Sequence, residues 1–122
     1  MDVRKVLIVE DSRATRELLA AAIEVLEGVE VYTAVSGFEA LKVLPRHRFS
    51  LIITDINMPD INGLELINFV KKNPHYKDTP LFVVTSEGRE QDRDRGLQLG
   101  ANEYVVKPFS PERISELVRQ YL

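Results

Sequence analysis

Five short segments rich in apolar residues divide the chain at regular intervals, and each is followed by polar residues. They cover residues 6–9, 30–35, 51–54, 81–84 and 104–106. Apolar runs of this length, bounded by turn residues, are typical of strands buried on both faces. Between them the apolar residues recur at three- and four-residue spacing, which predicts amphipathic helices. The pattern therefore predicts strands and helices in strict alternation.

Helix start signals support this alternation. Ser12 precedes the first helical stretch and is a predicted N-cap. Ser36 and Glu39 have the spacing of a capping box, and Ser110-Pro111 places an N-cap before a proline at the first helical position. The helix predicted after residue 88 is the weakest, because residues 89–95 include no apolar side chain.

Other packing details follow from the same pattern. Gly28 is expected to end the first helix in the C′ position, where glycine is favoured. Leu18 and Phe69 are expected on the buried stripes of the first and third helices.

The alternation predicts an α/β fold. Continuous apolar strands joined by helical crossovers form a parallel sheet covered on both faces, and right-handed crossovers leave few topologies. The length of 122 residues suits one domain, residues 1–122. In such sheets, ligands bind outside the carboxyl ends of the strands.

Composition narrows the function classes. The chain has 16 Lys and Arg against 19 Asp and Glu, for a net charge of -3. This balance gives no reason to expect direct binding to nucleic acid or to an anionic membrane. There is no cysteine, so disulfides and thiolate metal sites are excluded. No signal peptide or membrane span is recognisable at the N-terminus, which makes a cytoplasmic protein the expectation.

Four of the five predicted strands end in residues that can bind a metal ion or a phosphate. They are Glu10-Asp11, Asp55, Thr85 and Lys107. Because the carboxyl ends of parallel strands meet at one edge of the sheet, these side chains are expected to converge. Asp55 directly follows the predicted strand of residues 51–54 and is the central candidate for chemistry.

Four sequence motifs together resemble the receiver domain of two-component response regulators. They are Glu10-Asp11-Ser12, Thr54-Asp55-Ile56-Asn57-Met58-Pro59 with Gly63, Val84-Thr85-Ser86, and Tyr104-Val105-Val106-Lys107-Pro108-Phe109. The resemblance covers essentially the whole chain. It implies a flavodoxin-like, doubly wound (βα)5 fold with strand order 2-1-3-4-5. It also implies that Asp55 accepts a phosphoryl group from a histidine kinase or phosphotransfer protein in the presence of Mg²⁺.

The resemblance also implies a set of metal ligands. Asp11 and Asp55 would bind Mg²⁺ directly, the backbone carbonyl of Asn57 would be a third ligand, and Glu10 would act through a metal-bound water. Mg²⁺ prefers oxygen ligands and keeps several waters, so this donor set is chemically suitable. The family more often has aspartate at the Glu10 position.

Further roles come from the same resemblance. Lys107 and Mg²⁺ would offset the clustered negative charge, since two like charges about 4 Å apart repel by roughly 4 kcal/mol at a dielectric constant of 20. Thr85 would donate its hydroxyl to a phosphoryl oxygen, and the ring of Tyr104 would turn inward. Asn57 and Glu87 would set the lifetime of the phosphoryl group.

The implied output is a surface for a protein partner. The fourth helix, fifth strand and fifth helix would change on phosphorylation and bind a downstream target, with the protein either a monomer or a phosphorylation-dependent dimer. The only expected reactions are self-catalysed phosphorylation and autodephosphorylation. The peptide bond before Pro108 is often cis in the family.

Other site types fit less well. A calcium loop starting at Asp55 would have Pro59 and Leu66 at two ligand positions, which excludes it. A phosphatase with an aspartyl nucleophile would need a second aspartate where Asn57 stands. No glycine-rich phosphate loop follows any strand. A receiver-like interaction module that takes no phosphate is the remaining alternative, but Asp55 and Lys107 are both present.

Overall fold

The computed structural model describes residues 3–122 and contains one five-stranded sheet. Its strands are β1 Arg4–Val9, β2 Val29–Ala34, β3 Leu51–Thr54, β4 Leu81–Thr85 and β5 Glu103–Val106. All neighbouring strands are parallel, and their order is β2-β1-β3-β4-β5. The predicted doubly wound α/β fold and its strand order are confirmed.

Five α-helices connect and follow the strands. They are α1 Arg13–Glu24, α2 Gly37–Val43, α3 Gly63–Lys72, α4 Glu90–Leu99 and α5 Pro111–Tyr121. The three predicted serine N-caps are confirmed. Each accepts a hydrogen bond from the backbone N–H three residues later, at 3.4 Å for Ser12, 3.1 Å for Ser36 and 3.2 Å for Ser110. The weak helix prediction after residue 88 corresponds to α4.

Helices cover both faces of the sheet. Alternate residues of β1 point to opposite faces, as the strand repeat of two requires. Val6 and Ile8 pack with α1 and α5, whereas Leu7 and Val9 pack with α2 and α3. Helix α4 contributes one buried residue, Gly96. The strands are therefore buried on both sides, while α4 is the least anchored helix.

The end of α1 differs from the sequence prediction. The helix ends at Glu24 with Val25 as C-cap, so the prediction that Gly28 closes it is wrong. Gly28 lies in the turn before β2 with φ +74°, a conformation that favours glycine. Its carbonyl accepts a 2.9 Å hydrogen bond from the Arg4 N–H. The glycine therefore shapes the entry to β2.

Two predicted core residues are exposed. Leu18 is 53% exposed because the buried stripe of α1 runs through Leu19, Ala22 and Ile23. Phe69 is 40% exposed, and its ring lies 6.3 Å from that of Tyr76 at the surface. Each lies next to a buried residue in sequence, which turns its side chain about 100° away on the helix.

Because all five strands are parallel, their carboxyl ends lie at one edge of the sheet. The loops after β1, β3, β4 and β5 meet there, and they include the candidate residues. Across residues 3–122, every helix is too short or too polar to span a membrane.

Candidate functional site

Three carboxylates meet at this edge of the sheet. Glu10, Asp11 and Asp55 each place an oxygen within 4.8 Å of the others. The pairing of β1 with β3 explains the contact, because the Asp55 N–H donates a 3.2 Å hydrogen bond to the carbonyl of Val9. Glu10 and Asp55 are only 1% and 6% exposed, while Asp11 is exposed. The predicted acidic cluster therefore forms.

Backbone groups orient the Asp55 carboxylate. Its Oδ1 accepts hydrogen bonds from the N–H groups of Ile56 at 2.6 Å and Asn57 at 3.3 Å. The carbonyl of Asp55 accepts a 2.9 Å hydrogen bond from the Thr54 hydroxyl. With Oδ1 fixed in this way, Oδ2 faces the ammonium group of Lys107.

Gly63 allows the loop after Asp55 to close tightly. Its N–H donates a 2.8 Å hydrogen bond to the Ile56 carbonyl. A Cβ atom at this position would lie 2.0 Å from the Asp55 carbonyl oxygen. Only glycine fits there without moving the backbone of the candidate nucleophile.

Lys107 is the cation that faces the acidic cluster. Its Nζ lies 3.0 Å from Glu10 Oε1 and 3.2 Å from Asp55 Oδ2. Because β4 lies between β5 and β3, the lysine side chain reaches across one strand to make these contacts. Burial lowers the pKa of Lys107, but the hydrogen bond to Glu10 and the charge of Asp55 outweigh it, so the pKa lies above its usual value. Lys107 therefore stays charged. The Lys107-Pro108 peptide bond is cis.

Glu10 is the most buried acid of the cluster. Burial raises the pKa of its carboxyl, although hydrogen bonds from the Ser12 N–H and from Lys107 oppose the shift. The guanidinium of Arg16 donates to the backbone carbonyls of Glu10 at 3.0 Å and Asp11 at 3.4 Å. Arg16 was not singled out from the sequence; its position four residues after the N-cap of α1 is the only signal that could have found it.

Thr85 and Tyr104 both form a hydrogen bond with the backbone of Glu87. Thr85 is fully buried, and its hydroxyl oxygen accepts a 3.2 Å hydrogen bond from the Glu87 N–H. The Tyr104 hydroxyl donates a 2.6 Å hydrogen bond to the Glu87 carbonyl. Burial, reinforced by the charges of Asp92 and Glu87, raises the pKa of Tyr104 to about 12. Ser86, the other hydroxyl at this strand end, is exposed.

The two residues expected to set the phosphoryl lifetime contact each other. Asn57 Nδ2 donates a 2.9 Å hydrogen bond to Glu87 Oε1. Glu87 Oε2 lies 3.8 Å from Arg89 Nε, which also pairs with Asp92 at 3.2 Å. A chain of polar contacts thus runs from the loop after Asp55 to the start of α4.

Asp60 is a second structural residue that the sequence reasoning missed. Its carboxylate accepts hydrogen bonds from the N–H groups of Gly37 at 3.1 Å and Phe38 at 2.9 Å, at the start of α2. These backbone hydrogen bonds, from Phe38 above all, lower the pKa of Asp60. The partners are more than twenty residues apart in sequence, so no local pattern indicates the contact.

The donor set suits a hard divalent cation. Glu10, Asp11 and Asp55 offer carboxylate oxygens from adjacent strand ends, and Asp11 is open to solvent. Mg²⁺ prefers such oxygen ligands and retains several waters, which an exposed side of the site allows. The residues present therefore fit Mg²⁺.

Comparison with known proteins gives consistent matches. Residues 6–119 match the sequence model of the response regulator receiver domain. A chemotaxis protein CheY homolog of Campylobacter jejuni is 36% identical over 119 residues, covering 97% of this chain and 92% of the relative. A probable transcriptional regulator ycf27 of Pyropia yezoensis is also 36% identical, but this chain spans only 47% of it.

The same fold is found among solved structures. The chemotaxis response regulator CheY4 of Vibrio cholerae superposes with a TM-score of 0.89 at 36% sequence identity. The match covers 98% of this chain and 99% of that protein. The sequence match, the strand order and the acidic edge of the sheet agree, and the chain belongs to the response regulator receiver domain family.

Proposed function

We propose that residues 1–122 act as a single receiver domain in which Asp55 accepts a phosphoryl group. The donor is the phosphohistidine of a histidine kinase or of a phosphotransfer protein. The observation that carries the proposal is the setting of the Asp55 carboxylate. Two backbone N–H groups hold Oδ1, Oδ2 lies 3.2 Å from Lys107, and two further carboxylates stand beside it.

The chemistry is a direct transfer to a carboxylate oxygen. An Asp55 oxygen forms a bond to phosphorus while the nitrogen–phosphorus bond of the phosphohistidine breaks. The imidazole leaves with the electron pair and then takes up a proton. Phosphoryl transfer depends mainly on positioning and on offsetting charge, and the fixed carboxylate and Lys107 supply both.

Glu10, Asp11 and Asp55 are the proposed residues for Mg²⁺, with the Asn57 backbone carbonyl as a further ligand and Glu10 acting through a bound water. When bound, the ion supplies positive charge close to the transferred phosphoryl oxygens. Lys107 holds Glu10 and Asp55 in place, and its permanent charge offsets the added phosphoryl group.

The proposed switch runs through Thr85. Its oxygen accepts a hydrogen bond from Glu87, which leaves the hydroxyl hydrogen free to bind a phosphoryl oxygen on Asp55. Movement of Thr85 toward the phosphate would alter Glu87 and, through its carbonyl, Tyr104. Tyr104 packs against Gly96 of α4. The change therefore reaches the surface of α4, β5 and α5, where a downstream protein binds in this proposal.

Turnover of an outside substrate is not part of the proposal. Asn57 takes the position at which an aspartyl phosphatase would keep its acid, and its side chain is held by Glu87. The reactions proposed are self-catalysed phosphorylation and slow autodephosphorylation. The complete set of Asp55, Lys107 and the acidic pair favours this function over an interaction module that takes no phosphate.

The test is an intact-mass assay with acetyl phosphate as a small phosphodonor. With Mg²⁺ present, the wild-type chain should gain the mass of a single phosphoryl group. Omission of Mg²⁺ or the change Lys107→Ala should reduce the labelled fraction, because the charge around Asp55 is then not offset. A wild-type chain that takes up no phosphoryl group under any of these conditions would support the interaction module instead.

A further inference from the structure

A large groove lies at the end of the sheet opposite Asp55. It has a volume of about 910 Å³ and lies between the segment that joins α2 to β3 and the segment that joins α3 to β4. Ile52, close to the start of β3, and Pro80, just before β4, are among its lining residues. The volume falls in the range of roughly 300–1,000 Å³ that is typical of ligand sites. None of the candidate residues for phosphoryl transfer lines it.

The residues that line the groove carry a small excess of positive charge. Its charged lining residues are Arg46, Arg48 and Asp78, for a net charge of +1. The whole chain carries -3, so the residues outside the groove carry -4. The net charge of the groove is therefore opposite in sign to that of the rest of the chain.

Two arginines of the groove are free to bind an anion. Arg46 and Arg48 both line it and are exposed. Within residues 3–122, neither has a carboxylate oxygen within 4.0 Å, although Asp78 also lines the groove. Unpaired guanidinium groups are suited to bidentate hydrogen bonds with carboxylates.

The aromatic side of the groove is held in place. His47, between the two arginines in sequence, has its ring 4.3 Å from that of Tyr32 and 5.6 Å from that of Phe49. Lys5 Nζ lies 3.2 Å from His47 Nδ1. His47 is thus half-buried, and the two arginines beside it extend from a fixed backbone.

The opposite side of the groove is also rigid. The Asn73 side chain accepts a 2.8 Å hydrogen bond from the His75 N–H. The Asn73 backbone carbonyl accepts a 2.8 Å hydrogen bond from the Lys77 N–H. Lys71 Nζ donates a 2.7 Å hydrogen bond to the Thr79 carbonyl. Pro74 and Pro80 restrict the backbone further. A site formed in advance loses little entropy on binding.

We propose that this groove binds an acidic peptide segment of a partner protein. Its unpaired arginines and net positive charge complement Asp and Glu side chains, and its floor includes the apolar residues Leu44, Phe49 and Ile52. A short segment can lie within the groove. A nucleic acid would extend past it over a protein whose net charge is -3, which does not favour binding of phosphates.

The test is fluorescence anisotropy with a dye-labelled peptide of alternating glutamate and leucine. The wild-type chain should bind it, and should not bind the matching peptide of glutamine and leucine. The double change Arg46→Glu, Arg48→Glu should weaken binding roughly tenfold or more, because two charge-assisted contacts become repulsive. The double change Arg13→Glu, Arg113→Glu alters the net charge equally at exposed positions outside the groove and should have little effect.

Four results would overturn the proposal. The first is equal binding of the glutamate and glutamine peptides, and the second is equal weakening by the groove and control variants. The third is a higher affinity of the groove for single-stranded DNA than for the peptide, which would make nucleic acid the occupant. The fourth is self-association of the wild-type chain in sedimentation that the groove variant abolishes, which would make a second copy the occupant.

Discussion

Asn57 Nδ2 donates a 2.9 Å hydrogen bond to Glu87 Oε1, and this contact joins the loops after β3 and β4 beside Asp55. The backbone N–H of Glu87 donates a hydrogen bond to the Thr85 hydroxyl oxygen. The backbone carbonyl of Glu87 accepts a hydrogen bond from the Tyr104 hydroxyl. Glu87 is therefore the residue through which a movement of Thr85 toward a phosphoryl group on Asp55 would reach Tyr104. Its side chain also places a negative charge near the proposed phosphoryl group.

The charge of Glu87 should affect how long a phosphoryl group remains on Asp55. We expect Glu87→Lys to slow its loss about fivefold, equivalent to about 1 kcal/mol, because a cation would stabilise the phosphoryl dianion. The decay of the labelled mass after removal of the phosphodonor measures this rate. Glu90→Lys is the matched control, since it makes the same charge change at an exposed residue of α4. Equal slowing in both variants, or faster decay in Glu87→Lys, would contradict the assigned role.

Gly63 should tolerate no side chain. We expect Gly63→Ala to lower the free energy of unfolding by about 3 kcal/mol, because its Cβ would lie 2.0 Å from the Asp55 carbonyl oxygen and force the loop to move. Gly88→Ala is the control, because its Cβ would lie 3.4 Å from the nearest atom, a methyl group of Val106. It should change the stability by no more than about 0.5 kcal/mol. Urea unfolding of both variants checks this; similar losses would show that the loop after Asp55 can relax.

Binding of Mg²⁺ should weaken as the pH falls. Burial raises the pKa of Glu10 in the folded state above its unfolded value of 4.5. The protonated carboxyl therefore stabilises the metal-free fold fully below pH 4.5, and this contribution is lost as the pH rises through the raised pKa. Mg²⁺ binds the ionised carboxylate, so the stabilisation that Mg²⁺ adds increases as the pH rises. Mg²⁺ at about 100 times its dissociation constant should stabilise the fold by about 2.7 kcal/mol at neutral pH.

That increment should decrease steadily toward pH 4.5, in the window set by the raised pKa of Glu10. Thermal unfolding with and without Mg²⁺, repeated across this range, measures it. Ca²⁺ at the same ionic strength shows whether the effect follows the charge alone or the preference of the site. A stabilisation that does not change between neutral pH and pH 4.5 would exclude Glu10 from the metal site.

Helix α4 should be the least protected helix. It buries only Gly96, and its first half is charged, whereas α5 of similar length buries Ile114 and Val118. Local opening costs little free energy where few apolar contacts are broken. We expect amide hydrogens of α4 to exchange at least about tenfold faster than those of α5, as measured by hydrogen–deuterium exchange with mass spectrometry. Equal protection of the two helices would argue against α4 as a mobile part of the switch.

The strands, the caps and the acidic edge could be predicted because their signals are local. Buried strands are continuous apolar runs, and the residue that follows each run must lie at the edge of the sheet. Strand pairing then brings Glu10 next to Asp55, although they are far apart in sequence. The resemblance to receiver domains supplied the roles that geometry alone leaves open, such as those of Asn57 and Glu87.

Contacts that depend on how the loops fold could not be predicted. Asp60 caps α2 from a distant loop, and Arg16 holds the carbonyls of the acidic pair. The groove was missed for the same reason, because its two sides come from separate segments that only the folded chain brings together. The end of α1 was placed too late, since Gly28 serves the turn before β2.

The most direct test of the central claim is to locate the phosphoryl group. After reaction with acetyl phosphate and Mg²⁺, borohydride reduces an aspartyl phosphate to homoserine, which tandem mass spectrometry can place in the sequence. We expect homoserine at Asp55 and at no other acid, and no labelling of Asp55→Asn. Homoserine at Asp11 or Asp60, or labelling that persists in Asp55→Asn, would contradict it.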